Sequence, residues 1–174
     1  MIGGGDWGED RIVPDCIRAL SEGKTIVIRN PEAKRPWQYV LEPLSGYLWL
    51  GALMYQDGIR YSDAWNFGPD ESDILTVEGL ADLIIKHWGG GNYSLDTSNH
   101  PHEATLLKLD CSKAHAILKW QPVYNIYRAI EETIYWYREY YNFNGKGKMD
   151  KTTLHQIERY VKEAREKGIL WGID

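Results

Sequence analysis

Short β-type runs alternate with stretches of helical periodicity along the whole chain, and this alternation restricts the architecture more than any other feature. Ile12, Val13, Ile17 and Leu20 recur at helical spacing, Pro14 is tolerable in a first turn, and Gly23 can stop the helix. "TIVIR" (25–29) predicts a strand closed by a turn at Asn30-Pro31. "QYVLEPLSGYLWLGALMYQDG" starts extended, turns helical near Pro43 and stops before Gly58. "AWNFG" predicts a second strand running into a Gly-Pro loop. Thr76 caps a helix carrying Val77, Leu80, Leu83, Ile84 and Trp88, which Gly89-Gly90-Gly91 terminates. "TLLKLD" is a third strand candidate, followed by a helix over 112–120. Asn125 caps an amphipathic helix through Tyr141 with Ile126, Ala129, Ile130, Ile134 and Tyr137 on one face. "NFNGKGKMDK" is a polar linker, and Thr153 starts a last helix with Leu154, Ile157, Val161 and Ala164, laced by Glu158/Lys162 and Glu163/Lys167 pairs. Such a series predicts an α/β fold with the crossover connections that parallel strands need.

Function classes narrow next. A net charge of −5 over 174 residues gives no general attraction to nucleic acid or to anionic membranes. The longest apolar run, "YLWLGALMY", is far short of the roughly 20 residues of a membrane span, and no secretory signal pattern opens the chain. Cys16 and Cys111 form no C-x-x-C pair, which fits reduced, cytoplasmic thiols. The 8 Trp and 12 Tyr against 2 Phe suit either half-wet platforms for sugars and bases or plain packing.

Local motifs carry no self-sufficient catalysis. "IGGGD" and "WGGGN" lack the spacing of a nucleotide fingerprint, so Gly89 to Gly91 read as a helix stop and Gly3 to Gly5 as a tight turn or a close backbone approach. The five histidines show no metal-binding pattern. Ser45 sits in "PLSGY", outside a G-x-S-x-G elbow, and neither cysteine has a base nearby in sequence. No catalytic, cofactor-binding or metal residue is assigned. In "PEAKRPWQYVLEP", by contrast, Arg35 enters a stiff segment ahead of Pro36 and Trp37, where its planar fork suits a phosphate.

Taken in order, "IGGGDW…DRIVPD", "RPWQYVLEPLSGYLWL", "WNFGP" and "HEATLLKLDCSKAHAILKWQP" resemble the C-terminal part of the extended short-chain dehydrogenase/reductases that act on nucleotide sugars, most closely the CDP-glucose 4,6-dehydratases. The resemblance runs from Ile2 to about Tyr141. It implies an α/β fold made of the substrate-binding part of such an enzyme plus a remnant of the Rossmann sheet, one helix and one strand, with the NAD-binding half missing. Residues 1–141 would be the nucleotide-sugar region and 142–174 a polar linker with an amphipathic helix. In the family the glycines follow a strand ending Arg-x-Gly-Asn-Val, and upstream lie the NAD-binding turn, the Tyr-x-x-x-Lys set and the acid/base pair that removes water. The whole enzyme uses NAD to oxidise the C4 hydroxyl of CDP-glucose, loses water across C5 and C6, and returns the hydride to C6.

By the same resemblance, Arg35 and Asn66 contact the pyrophosphate, His100 and Glu103 lie near the nucleotide, and the backbone of Ile26, Val27 and Ile28 borders the base. The chain departs from the pattern at Tyr39, where the family leads one to expect His, and in the basic stretch 146–151. The expected partners are a CDP-sugar and, in a different class of reading, a separate N-terminal half to which this chain is a catalytically silent binding or split-subunit module. Without a cofactor sheet, Leu48, Trp49 and Leu53 should be uncovered and "AWNFG" unpaired, and the chain should be aggregation-prone, partly disordered over 1–8, or held together by self-association.

Overall fold

Two helices start where the sequence places a capping side chain, at Thr76 and at Asn125. In the computed structural model, which describes residues 1–98, 107–142 and 149–173, the Thr76 hydroxyl accepts from the Gly79 N–H at 3.0 Å and starts α4 (Val77–Trp88). Gly89 ends it in the left-handed region at φ +101°, where a side chain would be strained. Asn125 Oδ1 accepts from the Arg128 N–H at 2.9 Å at the start of α5 (Ile126–Asn142). The chain also forms α1 (Ile12–Ser21), α2 (Leu41–Gln56), the short α3 (Gly58–Tyr61) and α6 (Met149–Glu166). α6 begins ahead of the expected Thr153.

The strands are short. β1 (Ile26–Ile28) pairs in parallel with β4 (Tyr93–Leu95), Ile26 facing Tyr93 and Ile28 facing Leu95. β2 (Lys34–Arg35) pairs antiparallel with β3 (Leu75–Thr76). Ile2 adds a single parallel bridge to Tyr39. Ile26 and Ile28 turn inward while Val27 stands 60% exposed, as the two-residue period of a strand requires. Ile17, Leu80, Ile84, Ile130, Ile134 and Tyr137 close over them in one core that also takes in Tyr160 and Ala164 of α6. A smaller cluster forms around Phe67, Ala114, Leu118 and Trp120.

Several expectations are corrected. Residues 64–68 form no strand: their backbone carbonyls are held by side chains, Phe67 O by Gln38 Nε2 at 2.9 Å and Ala64 O by Lys113 Nζ at 3.0 Å. Nor do residues 107–110 form a strand, although the Leu107 N–H donates to Lys34 O at 3.3 Å; the first two residues of "TLLKLD" lie outside the described residues. The helix expected over 112–120 widens into a π-turn at Ala114–Leu118 and stops at Lys119, a non-glycine residue at φ +55°. Trp49 and Leu53 are half-buried against the smaller cluster, with Trp49 Nε1 donating to Leu118 O at 2.8 Å, whereas Leu48 is 77% and Tyr55 94% exposed. Glu163 pairs with Arg128 of α5 at 3.1 Å, and Lys162 with Glu166 at 3.6 Å.

Residues 1–8 are packed rather than loose. The Ile2 N–H donates to Gln38 O and the Val40 N–H to Ile2 O, both at 2.8 Å. The Tyr137 hydroxyl donates to Asp6 O, and the Trp7 ring sits 4.9 Å from Tyr140. Among the described residues no helix is long and apolar enough to cross a membrane.

Candidate functional site

The glycine triple meets protein, not a phosphate. A Cβ on Gly4 would lie 2.0 Å from Cγ of Trp136, and one on Gly3 would lie 2.7 Å from Cγ1 of Val40. Gly5 takes φ +82°. These residues let the N-terminal segment lie flat on α5, so the close approach predicted from sequence is to a tryptophan. At the other cluster, a Cβ on Gly91 would lie 2.3 Å from Leu20 Cδ2. In both clusters, then, the space directly beside a glycine is taken by a side chain of the protein itself. Among the described residues, no group of three or more His, Cys, Asp or Glu side chains is placed to hold a metal ion.

Arg35 and Asn66 fall on neighbouring segments. Arg35 is the half-buried end of β2, where its Nη1 donates to Lys34 O at 3.0 Å. Asn66 is exposed, and its Nδ2 donates to Asp110 O at 3.1 Å. Segment 107–110 runs beside both, since Leu107 is bonded to Lys34 and Asp110 to Asn66. A groove of about 540 Å³ opens next to it, lined by Pro69, Asp70, Lys108, Asp110 and His115 among others. A second hollow, about 580 Å³, lies between Gly3, Gly4, Arg11, Pro14 and Trp37. β1 contributes to the other sheet, with Val27 outward. His100 and Glu103 lie outside the described residues.

Two buried side chains escaped the sequence reading. Gln38, 7% exposed, bonds Phe67 O through Nε2, while its Oε1 is enclosed without a partner. Glu42, fully buried in the first turn of α2, accepts from the N–H groups of Val123 (2.9 Å) and Tyr124 (2.8 Å) and from the Tyr160 hydroxyl (2.7 Å). Burial pushes its carboxyl up to about 7, against the pull of those donors. Ser45 Oγ donates to Glu42 O at 2.7 Å and accepts from Trp120 Nε1 at 3.0 Å. The signal for Glu42 was a lone carboxylate at the head of a helix otherwise free of charge. Tyr39 is buried among the rings of Tyr124 (5.5 Å) and Tyr160 (6.4 Å), which raises its hydroxyl pKa through loss of solvent. Cys16 is likewise sealed, its thiol pushed up to about 12 by burial.

No family model matches the sequence. The chain is 45% identical over 139 residues to the CDP-glucose 4,6-dehydratase of Salmonella typhimurium, a match covering 79% of this chain and 39% of that protein. It therefore spans about two fifths of the length of that curated relative. Among solved structures, the dTDP-glucose 4,6-dehydratase of Bacillus anthracis in complex with NAD superposes with a TM-score of 0.64 at 19% identity, over 78% of this chain and 42% of the other. The UDP-glucuronic acid 4-epimerase of Bacillus cereus in complex with NAD gives 0.66 at 18%, over 86% and 44%. A GDP-L-fucose synthetase from Naegleria fowleri gives 0.65 at 20%, over 84% and 46%. By sequence, this chain is similar to about two fifths of a CDP-glucose 4,6-dehydratase, and by fold it is similar to parts of nucleotide-sugar dehydratases and epimerases.

Proposed function

We propose that this chain is the substrate-binding part of an NAD-dependent CDP-glucose 4,6-dehydratase, holding the nucleotide end of the sugar while a cofactor-binding unit outside this stretch supplies the hydride and proton chemistry. The observation that carries the reading is the placement of Arg35 and Asn66 on adjacent segments bridged by 107–110. A guanidinium presenting paired N–H donors and a carboxamide on the next segment suit two faces of a pyrophosphate. The backbone of β1 would border the base, and His100 and Glu103 would close the nucleotide site. Residues 1–141 form the nucleotide-sugar region in this reading, braced by the helix in 142–174, whose Tyr160 reaches Glu42. The enzyme works in the cytoplasm.

Titration calorimetry of the purified chain with CDP tests the proposal. Saturable binding of CDP, weaker binding of inorganic pyrophosphate, and no turnover of CDP-glucose with added NAD are expected. Absence of CDP binding would overturn it.

A second reading, a silent or split-subunit module, is favoured by the outer face of α2, where Leu44, Leu48 and Tyr55 are exposed and no charge interrupts the helix after Glu42. Turnover regained on mixing with an NAD-binding chain would establish a split enzyme. CDP binding with no turnover in any such mixture would establish a silent binder.

A further inference from the structure

We infer that Gln38 is a positioning residue of the nucleotide site, fixing the segment of Asn66 relative to that of Arg35; the inference rests on the nucleotide reading given above. Gln38 lies three residues beyond Arg35, on the connection from β2 to α2. Its own backbone is pinned, because its carbonyl accepts from the Ile2 N–H at 2.8 Å. From that fixed base its side chain reaches Phe67 O, on the Phe67–Gly68 peptide one residue past Asn66, at 2.9 Å. Residues 64–68 belong to no strand or helix, so no ladder sets their register.

The Phe67 ring is held separately. It packs edge-on to Trp120 at 5.0 Å and lies so close to α2 that a Cβ on Gly46 would stand 2.4 Å from its Cδ1. A ring held in this way sets how deep the segment sits. It does not decide how the Phe67–Gly68 peptide is turned, and that turn fixes the backbone of Phe67 from which the chain runs back to Asn66. The Gln38 amide supplies the missing constraint.

The other half of the amide points the same way. Oε1 of Gln38 is buried and unpaired, an arrangement that costs free energy and that a leucine of similar volume would avoid. A polar side chain kept at that cost, with one good bond aimed at a site segment, serves the site rather than the core. On the far side, Asn66 Nδ2 is taken up by Asp110 O, so Asn66 is strung between the Gln38-held peptide and segment 107–110.

The test uses the full chain, with Gln38→Leu and Gln38→Met as variants of similar size, CDP as the probe, and Asn66→Ala as the second arm of a cycle. With the melting midpoint nearly unchanged, either variant should shift the Asn66 side-chain amide resonances and weaken CDP binding by about tenfold. In the Asn66→Ala background the same substitution should weaken CDP binding by less than about twofold, because its route is already cut. A purely structural role predicts equal losses in both backgrounds, and that result would overturn the proposal. Unmoved Asn66 resonances would overturn it even in a chain that does not bind CDP. Moved resonances in a chain with no affinity for CDP would support the hold of Gln38 on Asn66 and defeat only the nucleotide reading.

Discussion

The Tyr160 hydroxyl donates to Glu42 Oε2 at 2.7 Å, joining α6 to the first turn of α2 across 118 residues of sequence. This bond ends on a fully buried carboxylate, so its removal is felt twice: a donor is lost, and a charge loses part of its solvation. Tyr160→Phe should therefore cost about 1.5–3 kcal/mol at pH 8, and the melting temperature should drop by roughly 3–10 °C. Calorimetric melts of the two proteins at that pH decide the matter; identical midpoints would mean that the bond contributes nothing.

Stability should fall as pH rises from about 4.5 to 7. Glu42 titrates near 7 when folded and near 4.5 when unfolded. Below that window both states hold the proton, within it only the folded state does, and above it neither does. The raised carboxyl thus contributes stability at low pH that is lost as pH climbs through 7, amounting to at most about 3 kcal/mol from this one group. Glu42→Gln should flatten that part of the stability profile in urea titrations. A profile of equal slope in both proteins would refute the assignment.

Gly4→Ala and Gly51→Ala should act in opposite directions. The first drives a methyl to 2.0 Å from Trp136 and forces α5 and the N-terminal segment apart, at a cost of about 1–3 kcal/mol. The second meets nothing within 4 Å on the outer face of α2 and removes a helix-interior glycine, a gain of roughly 0.5–1 kcal/mol. Denaturant midpoints check both, and a neutral Gly4→Ala would dispose of the packing argument for the glycine triple.

Arg35→Ala should reduce CDP affinity by roughly 2–4 kcal/mol, and Lys34→Ala far less. Arg35 is half-buried at the end of β2 while its neighbour Lys34 points into solvent. Calorimetric titration of both variants is sufficient, and equal small losses would make Arg35 an ordinary surface residue.

The outer face of α2 should drive association. Leu48→Lys with Tyr55→Lys replaces two side chains that are 77% and 94% exposed, so the folded chain loses little packing. Sedimentation at increasing concentration should show self-association of the parent chain and its suppression in the double variant. A parent chain that stays monomeric at high concentration would contradict the expectation.

Elements governed by neighbouring residues were legible in the sequence. Thr76 with Gly79, Gly89 at the end of α4, and Asn125 ahead of α5 each act within four residues, and each sits where capping chemistry puts it. The misread parts depend on distant partners. Residues 64–68 are rich in aromatic side chains and look like a strand, yet their carbonyls are taken by Gln38 and Lys113 from elsewhere in the chain. α2 has apolar residues on nearly every side, which would suit broad burial, yet Leu44, Tyr47, Leu48, Met54 and Tyr55 are exposed while the 114–120 turn covers Trp49. At the site, the choice of Arg35 and Asn66 came from resemblance, while Gln38 and Glu42 became visible only once their partners were located.

The link from Tyr160 back to Glu42, together with that from Tyr137 back to Asp6 131 residues earlier, sets a schedule for biosynthesis. A ribosome releases the chain from its N-terminus at about 5–20 residues per second, so the Glu42 carboxylate and the glycine-rich leading segment emerge many seconds before the helices that receive them. Throughout that interval the nascent α2 displays apolar side chains that α6 and the 114–120 turn later help to cover, and Glu42 remains in water. Emergence of α5 and α6, rather than local helix formation, is then the step that gives Glu42 and Asp6 their distant partners, and a translational pause ahead of α6 would lengthen the exposure of α2 to chaperones and proteases.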